Sequence, residues 1–178
     1  VDYAKRITDV ISEEAAKYNL PLPKLRIEPG RLISGPCGVA VGTVGAVKVG
    51  DKKKWVNLDL STNVLSWASI LDWYYHAVPV ENTEREATET VDIVGPLCNS
   101  DEIGKQRKMP PLVRGEHVAF LDAGGYVESQ AARYNAQCLP ATVLVFNELS
   151  EITTEREQLR DVSGRFRVPP RLLAQSFG

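Results

Sequence analysis

The chain has 178 residues, 43% of them hydrophobic and 25% charged, which suits one folded domain or slightly more, with a sizeable core. A net charge of −2 leaves no basic face for nucleic acid, and the short run DKKKW (Asp51 to Trp55) reads as a solvated turn. No apolar run approaches the roughly 18 residues of a membrane span, so a cytoplasmic setting without membrane attachment is expected.

Ala4, Ile7, Ile11, Ala15 and Tyr18 recur at helical spacing and predict a helix over 2–18, stopped near Asn19 and by the prolines of LPLP. The sequence starts with Val1 inside this amphipathic stretch, and its one methionine is Met109. The expectation is a part of a longer protein rather than a chain that has lost a leader. KLRIEPGR (Lys24 to Arg31) reads as a short buried strand entering a Pro-Gly turn. LISGPCGVAVGTVGAVKV (Leu32 to Val49) begins as a second helical stretch and turns β-branched. Helix, strand, glycine turn and helix in that order predict a βα barrel or another parallel α/β unit.

From about Gly45 the character changes. GAVKV, KWVNLDL, ATETVDIVG, EHVAFLDAG and ATVLVFNEL are short apolar or alternating runs bounded by Gly, Asp and Asn, which predicts an antiparallel β domain. VLSWASILDWYYH (Val64 to His76) between two of them is a short helix or loop, and TTEREQLRDV a terminal helix. The expected organisation is two domains: residues 1–44, the truncated end of the α/β unit, and residues 45–178, the β domain.

Cys37, Cys98 and Cys138 are odd in number and far apart, which fits a reducing compartment better than a disulfide framework. With only His76 and His117, and no Cys-x-x-Cys or His-x-x-x-His, no metal site is expected. Three clusters carry possible chemistry. IEPGR sets Glu28 and Arg31 around Gly30, where amides and a guanidinium can cradle a phosphate, although a plain Pro-Gly turn with a local Glu28–Arg31 pair explains it equally. LDAGGY brings Tyr126 directly after a Gly-Gly turn, so a phenol can face a closely approaching ligand, or simply half-bury at a tight turn. Cys98, in GPLCNSDEI, lies in a polar loop with no Lys, Arg or His near it in sequence, and could be no more than a half-buried thiol.

Taken in order, EPGR, then GPLCNSDEI, then DAGGYxxS ending in RYN resembles the carboxy-terminal part of the pyridoxal-phosphate-dependent decarboxylases of alanine-racemase-like fold, the diaminopimelate decarboxylase branch above all. The resemblance runs from Asp2 to about Arg160. It implies α/β plus β architecture: the last strand and helix units of a (β/α)8 barrel, then a mostly antiparallel β-sandwich or barrel. It also implies pyridoxal 5′-phosphate, an amino-acid substrate, the missing barrel segment on the same or a separate chain, and a homodimer with shared active sites. By the same resemblance Glu28 faces the pyridine nitrogen, Gly30 and Arg31 hold the cofactor phosphate, and Tyr126 binds it from the other side. Cys98 reaches into the partner subunit's site as a proton donor.

Two departures qualify the resemblance. In the family a lysine on the first barrel strand holds the cofactor, far upstream of EPGR; Lys48 in AVKV is read as a surface strand residue and not as that lysine, so the chain alone is expected to be inactive. In diaminopimelate decarboxylases an Arg-Pro-x-x-Tyr core and a glutamate after the cysteine grip the distal end of the substrate. Here Trp67, Leu71 and Asn99 stand at those positions, together with Tyr126 nearby, which implies a substrate other than diaminopimelate with a neutral, bulky or conjugated distal end. A non-catalytic homologue acting as a binding or regulatory partner is the alternative, and a racemase on the same scaffold a third, against which the GPLC cysteine loop speaks. Bared strand edges and apolar faces predict that the isolated chain aggregates.

Overall fold

The computed structural model describes residues 2–173, in two compact units that divide between Gly30 and Arg31. In the first unit, helix α1 (Asp2–Lys17) carries Asp2 in its first turn and Lys17 in its last, the charge order that suits the helix dipole. The chain leaves it through Asn19 in the left-handed region, φ 51°, with the Leu20 amide donating to the Ala15 carbonyl at 2.8 Å. Residues 20–29 have no regular structure, and Ile27 is 67% exposed. The buried strand expected from Lys24 is therefore not formed here. Extended backbone without a neighbouring strand leaves its N–H and C=O groups to water.

Helix α2 (Gly30–Ser34) runs into a single 3-10 turn (Gly35–Cys37) and then strand β1 (Ala40–Val49), which begins before Gly45. The remaining elements of the main sheet are β2 (Lys54–Leu58), α3 (Ser66–Ile70), β3 (Ala77–Pro79), β4 (Glu89–Val94), β5 (Glu102–Met109) and β6 (His117–Phe120). The six strands lie in the order β3-β6-β1-β2-β4-β5. Long β1 pairs with β6 through residues 40–43 and with β2 beyond Val44, the register shifting at Gly45, so one strand bends across two neighbours. The end strands β3 and β5 touch, which nearly closes the sheet.

One pairing departs from the antiparallel expectation: β2 and β4 are parallel, in the register Trp55 to Asp92 and Asn57 to Val94. A parallel pair needs a long crossover, and residues 59–88, with α3 and β3, supply it. The main sheet is curved, mixed and nearly closed, so of the expected sandwich or barrel it is the barrel that it approaches. Its core gathers Val44, Val56, Leu58, Val91, Ile93, Ile103, Val118 and Phe120 from the strands, with Leu65 and Tyr75 from the crossover. The DKKKW run is the expected solvated turn over residues 51–53, closed by the Gly50 amide donating to the Lys53 carbonyl at 2.8 Å, and two of its lysines are also paired. Lys53 pairs with Asp92 at 2.8 Å and Lys54 with Glu89, so both lysines are tied to β4.

Strands β7 (Thr142–Phe146) and β8 (Leu149–Thr154) form a separate hairpin, turned at Asn147 with φ 55°. Its apolar side chains are exposed, Phe146 at 70%. The terminal helix α4 (Leu159–Ser163) starts with a capping box between Gln158 and Asp161, and α5 (Pro170–Leu173) ends the described residues. Among the described residues no helix is long and apolar enough to cross a membrane.

Candidate functional site

Arg31, in the first turn of α2, is the centre of an aromatic cage. Its guanidinium carbon lies 4.3 Å from the ring centre of Trp67, 4.5 Å from that of Trp73 and 5.3 Å from that of Tyr126. The Trp67 and Tyr126 rings stack at 5.2 Å with 8° between their planes, and Trp73 meets Trp67 edge-on at 6.0 Å. Both terminal nitrogens of Arg31 are buried and make no hydrogen bond. A cation held between aromatic faces with its donor edge unanswered is suited to an anion arriving in the guanidinium plane. A phosphate fits that requirement: two adjacent donors match two phosphate oxygens.

Local chemistry explains how the cage is assembled. Trp67 lies in α3, and its carbonyl accepts from the amides of Leu71 and Trp73, each at 3.0 Å, which brings the two indoles together. Tyr126 arrives from the turn after β6. The Ala123 amide donates to the Gly38 carbonyl and the Gly124 amide to the Gly35 carbonyl, both at 2.9 Å, which docks the turn on the segment after α2. A Cβ at Gly124 would collide with the Ser34 carbonyl, so this approach requires glycine. Tyr126 itself sits at φ 67°, in the left-handed region that costs a non-glycine residue about 1 kcal/mol or more. The Trp67 indole N–H donates to the Gln130 side-chain carbonyl.

The Cys98 loop is built on Asp101. This buried carboxylate accepts from the Thr62 amide and hydroxyl, both at 2.7 Å, and from the Leu97 amide at 2.9 Å. The Asp101 amide in turn donates to the Asn99 carbonyl at 2.7 Å. A Cβ at Gly95 would run into the same carboxylate, so the Gly-Pro lead-in is required by packing as well as by turn geometry. Cys98 is exposed, and its sulfur accepts a 3.3 Å hydrogen bond from Asn135 of the RYN segment. Asn63 ties that segment down again: its side-chain NH2 donates to the Tyr134 carbonyl at 2.9 Å, and its backbone carbonyl accepts from the Ala132 amide at 2.8 Å.

The second unit thus brings Arg31, Trp67 and Tyr126 together and links the Cys98 loop to the RYN segment. Glu28 and Gly30 belong to the first unit, where Glu28 is exposed. Leu71 is exposed at the end of α3 and makes no part of the cage, whereas Trp73, two residues on, does. Lys48 is exposed on β1 beside Trp55. Asp101, Gln130, Asn135 and Trp73 escaped sequence reasoning. The signal for Asp101 was available, since an aspartate three positions past a Gly-Pro-Leu-Cys turn is placed to collect loop amides.

Comparison with known proteins supplies the family. The family described as "Pyridoxal-dependent decarboxylase, C-terminal sheet domain" matches residues 8–124. The chain is 30% identical to diaminopimelate decarboxylase of Methanothermobacter thermautotrophicus over 173 residues, covering 97% of this chain and 40% of that protein. It is 34% identical to the Staphylococcus aureus enzyme of the same name, over 89% of this chain and 38% of that one. The crystal structure of diaminopimelate decarboxylase from Methanocaldococcus jannaschii with L-lysine is similar with a TM-score of 0.78 and 31% identity, over 92% of this chain and 38% of that chain. The chain spans about two fifths of the length of these relatives. It belongs to the pyridoxal-dependent ornithine, diaminopimelate and arginine decarboxylase family, matching that family's carboxy-terminal sheet domain.

Proposed function

We propose that this chain is the carboxy-terminal part of a pyridoxal-phosphate-dependent amino-acid decarboxylase that removes the α-carboxylate. The stretch before β1 closes a cofactor-binding (β/α)8 barrel, and the sheet from β1 onward is the β domain. The observation that carries this reading is Arg31, whose buried terminal nitrogens have no partner and whose counter-charge a cofactor phosphate supplies. When bound, pyridoxal phosphate provides the electron sink for the charge left as carbon dioxide departs.

The chain's own residues hold and protonate. The Gly30 amide and the Arg31 guanidinium bind the phosphate, and the Tyr126 hydroxyl takes a further phosphate oxygen. The Glu28 carboxylate keeps a proton on the pyridine nitrogen. Cys98 of one subunit carries a proton on its sulfur into the site of the other and delivers it to the carbon that has lost its carboxylate. The Asp101-centred loop and the Asn135 hydrogen bond hold that thiol in place.

Diaminopimelate is the reference substrate, because it names the relatives. At the three positions that the resemblance assigns to the distal end of the substrate, this chain offers Trp67, Leu71 and Asn99, none of them charged. Trp67 lies over Arg31 and stacks on Tyr126, so the position that the resemblance gives to an arginine carries an aromatic ring. The substrate is therefore an amino acid whose distal end is neutral and bulky. Cofactor uptake and carbon dioxide release by the complete enzyme, over a panel of amino acids, test both statements. A complete protein that takes up no pyridoxal phosphate would mean a binding homologue, and normal turnover of diaminopimelate would overturn the substrate reading.

A further inference from the structure

We infer that Gln130 is a positioning residue for phosphate binding, acting through Trp67 on Arg31; the inference rests on Arg31 being the phosphate ligand proposed above. Trp67 is partly buried, packed against the core and against the Trp73 and Tyr126 rings, and its indole N–H reaches out to a single acceptor. The Gln130 side-chain carbonyl accepts its N–H, and the Gln130 amide donates to the Tyr126 carbonyl at 3.0 Å. One short turn, residues 126–130, therefore delivers the Tyr126 ring and tethers the Trp67 indole at once. These two rings stack on each other and both lie over the guanidinium.

The guanidinium is confined by the rings rather than by hydrogen bonds, since its terminal nitrogens have none. The rings therefore set the plane in which those nitrogens face an anion, on a stem packed against Gly35 and Gly125. Loosening Trp67 lets the Arg31 plane tilt, and a bidentate contact is sensitive to tilt. Gln130 is exposed and contributes nothing to the core, so its loss should be felt at the phosphate and not in folding.

The test is made on the complete decarboxylase, by the dissociation constant for pyridoxal phosphate and the thermal midpoint of the apoenzyme. Gln130→Leu removes the acceptor and should weaken cofactor binding by about threefold, part of the worth of one hydrogen bond, with the midpoint little changed because the bond is exposed. Gln130→Glu keeps a carbonyl-type acceptor at the same reach and should recover binding. In a Trp67→Phe background, which stacks but has no N–H, Gln130→Leu should have no further effect. Arg31→Met serves as the reference for the phosphate reading. If Arg31→Met weakens binding and Gln130→Leu does not, the inference fails while that reading stands. If neither weakens it, both fail. An equal effect of Gln130→Leu with Phe at position 67 would show that Gln130 does not act through Trp67.

Discussion

Replacing Asp101 by alanine should destabilise the sheet domain and disorder the Cys98 loop together. The wild-type carboxylate satisfies the Thr62 amide, the Thr62 hydroxyl and the Leu97 amide from a position only 4% exposed. The hydroxyl can rotate toward another acceptor, but the two amides cannot. Each buried donor left unsatisfied costs about 1–3 kcal/mol, so the substitution should cost about 2–6 kcal/mol. That is a large share of the roughly 5–15 kcal/mol that holds a domain folded. Asp101→Asn keeps a carbonyl for the Thr62 pair but turns an NH2 toward the Leu97 amide, and should cost less, about 1–3 kcal/mol. Urea unfolding followed by circular dichroism gives the stability, and the rate at which a thiol reagent modifies Cys98 reports on the loop. An Asp101→Ala protein within about 1 kcal/mol of wild type, with unchanged Cys98 reactivity, would refute the role assigned to this carboxylate.

The Asp92 carboxyl supplies a pH dependence. Burial pushes it up, but the Lys53 hydrogen bond and the Gln106 amide outweigh burial and hold it below the usual carboxylate range. Its contribution is therefore fully present above the ordinary carboxylate range and is lost as pH falls through the lowered value; urea midpoints against pH should flatten there in Asp92→Asn. Introducing Asn99→Glu, at an exposed position outside the Arg31 cage, should raise kcat/KM of the complete enzyme for diaminopimelate by about tenfold, and an unchanged value would contradict the substrate reading. Gly124→Ala should weaken cofactor binding by displacing Tyr126, because its Cβ meets the Ser34 carbonyl; a normal dissociation constant would show that the turn adjusts.

How far the sequence reads ahead of the structure depends on whether a residue acts through its neighbours in the chain or across the fold. Helix α1 is legible because its apolar spacing is local, and so is its stop at Asn19. Strand β5 was not legible. Gln106 sits at φ 49° with its amide on the Asp92 carboxylate, and the bulge breaks the alternation that would have marked the strand. The parallel pairing of β2 with β4 depends on where a crossover of some thirty residues returns, which no run of residues encodes. Of the candidate site, Arg31 and Tyr126 were found through their turns, and the structure joins them. Trp73 and Gln130 reach the same place only because the Trp67 carbonyl and indole N–H choose their partners in three dimensions.

Hybrid dimers test the central claim most directly. Subunits of the complete enzyme carrying Cys98→Ala are mixed with subunits carrying Glu28→Ala, each inactive alone. If Cys98 serves the partner's site while Glu28 serves its own, every hybrid has one site with both defects and one intact. Random reassortment should then restore decarboxylation to about a quarter of the wild-type rate. Activity that stays at the level of the single variants, with hybrids shown to have formed, would contradict the account.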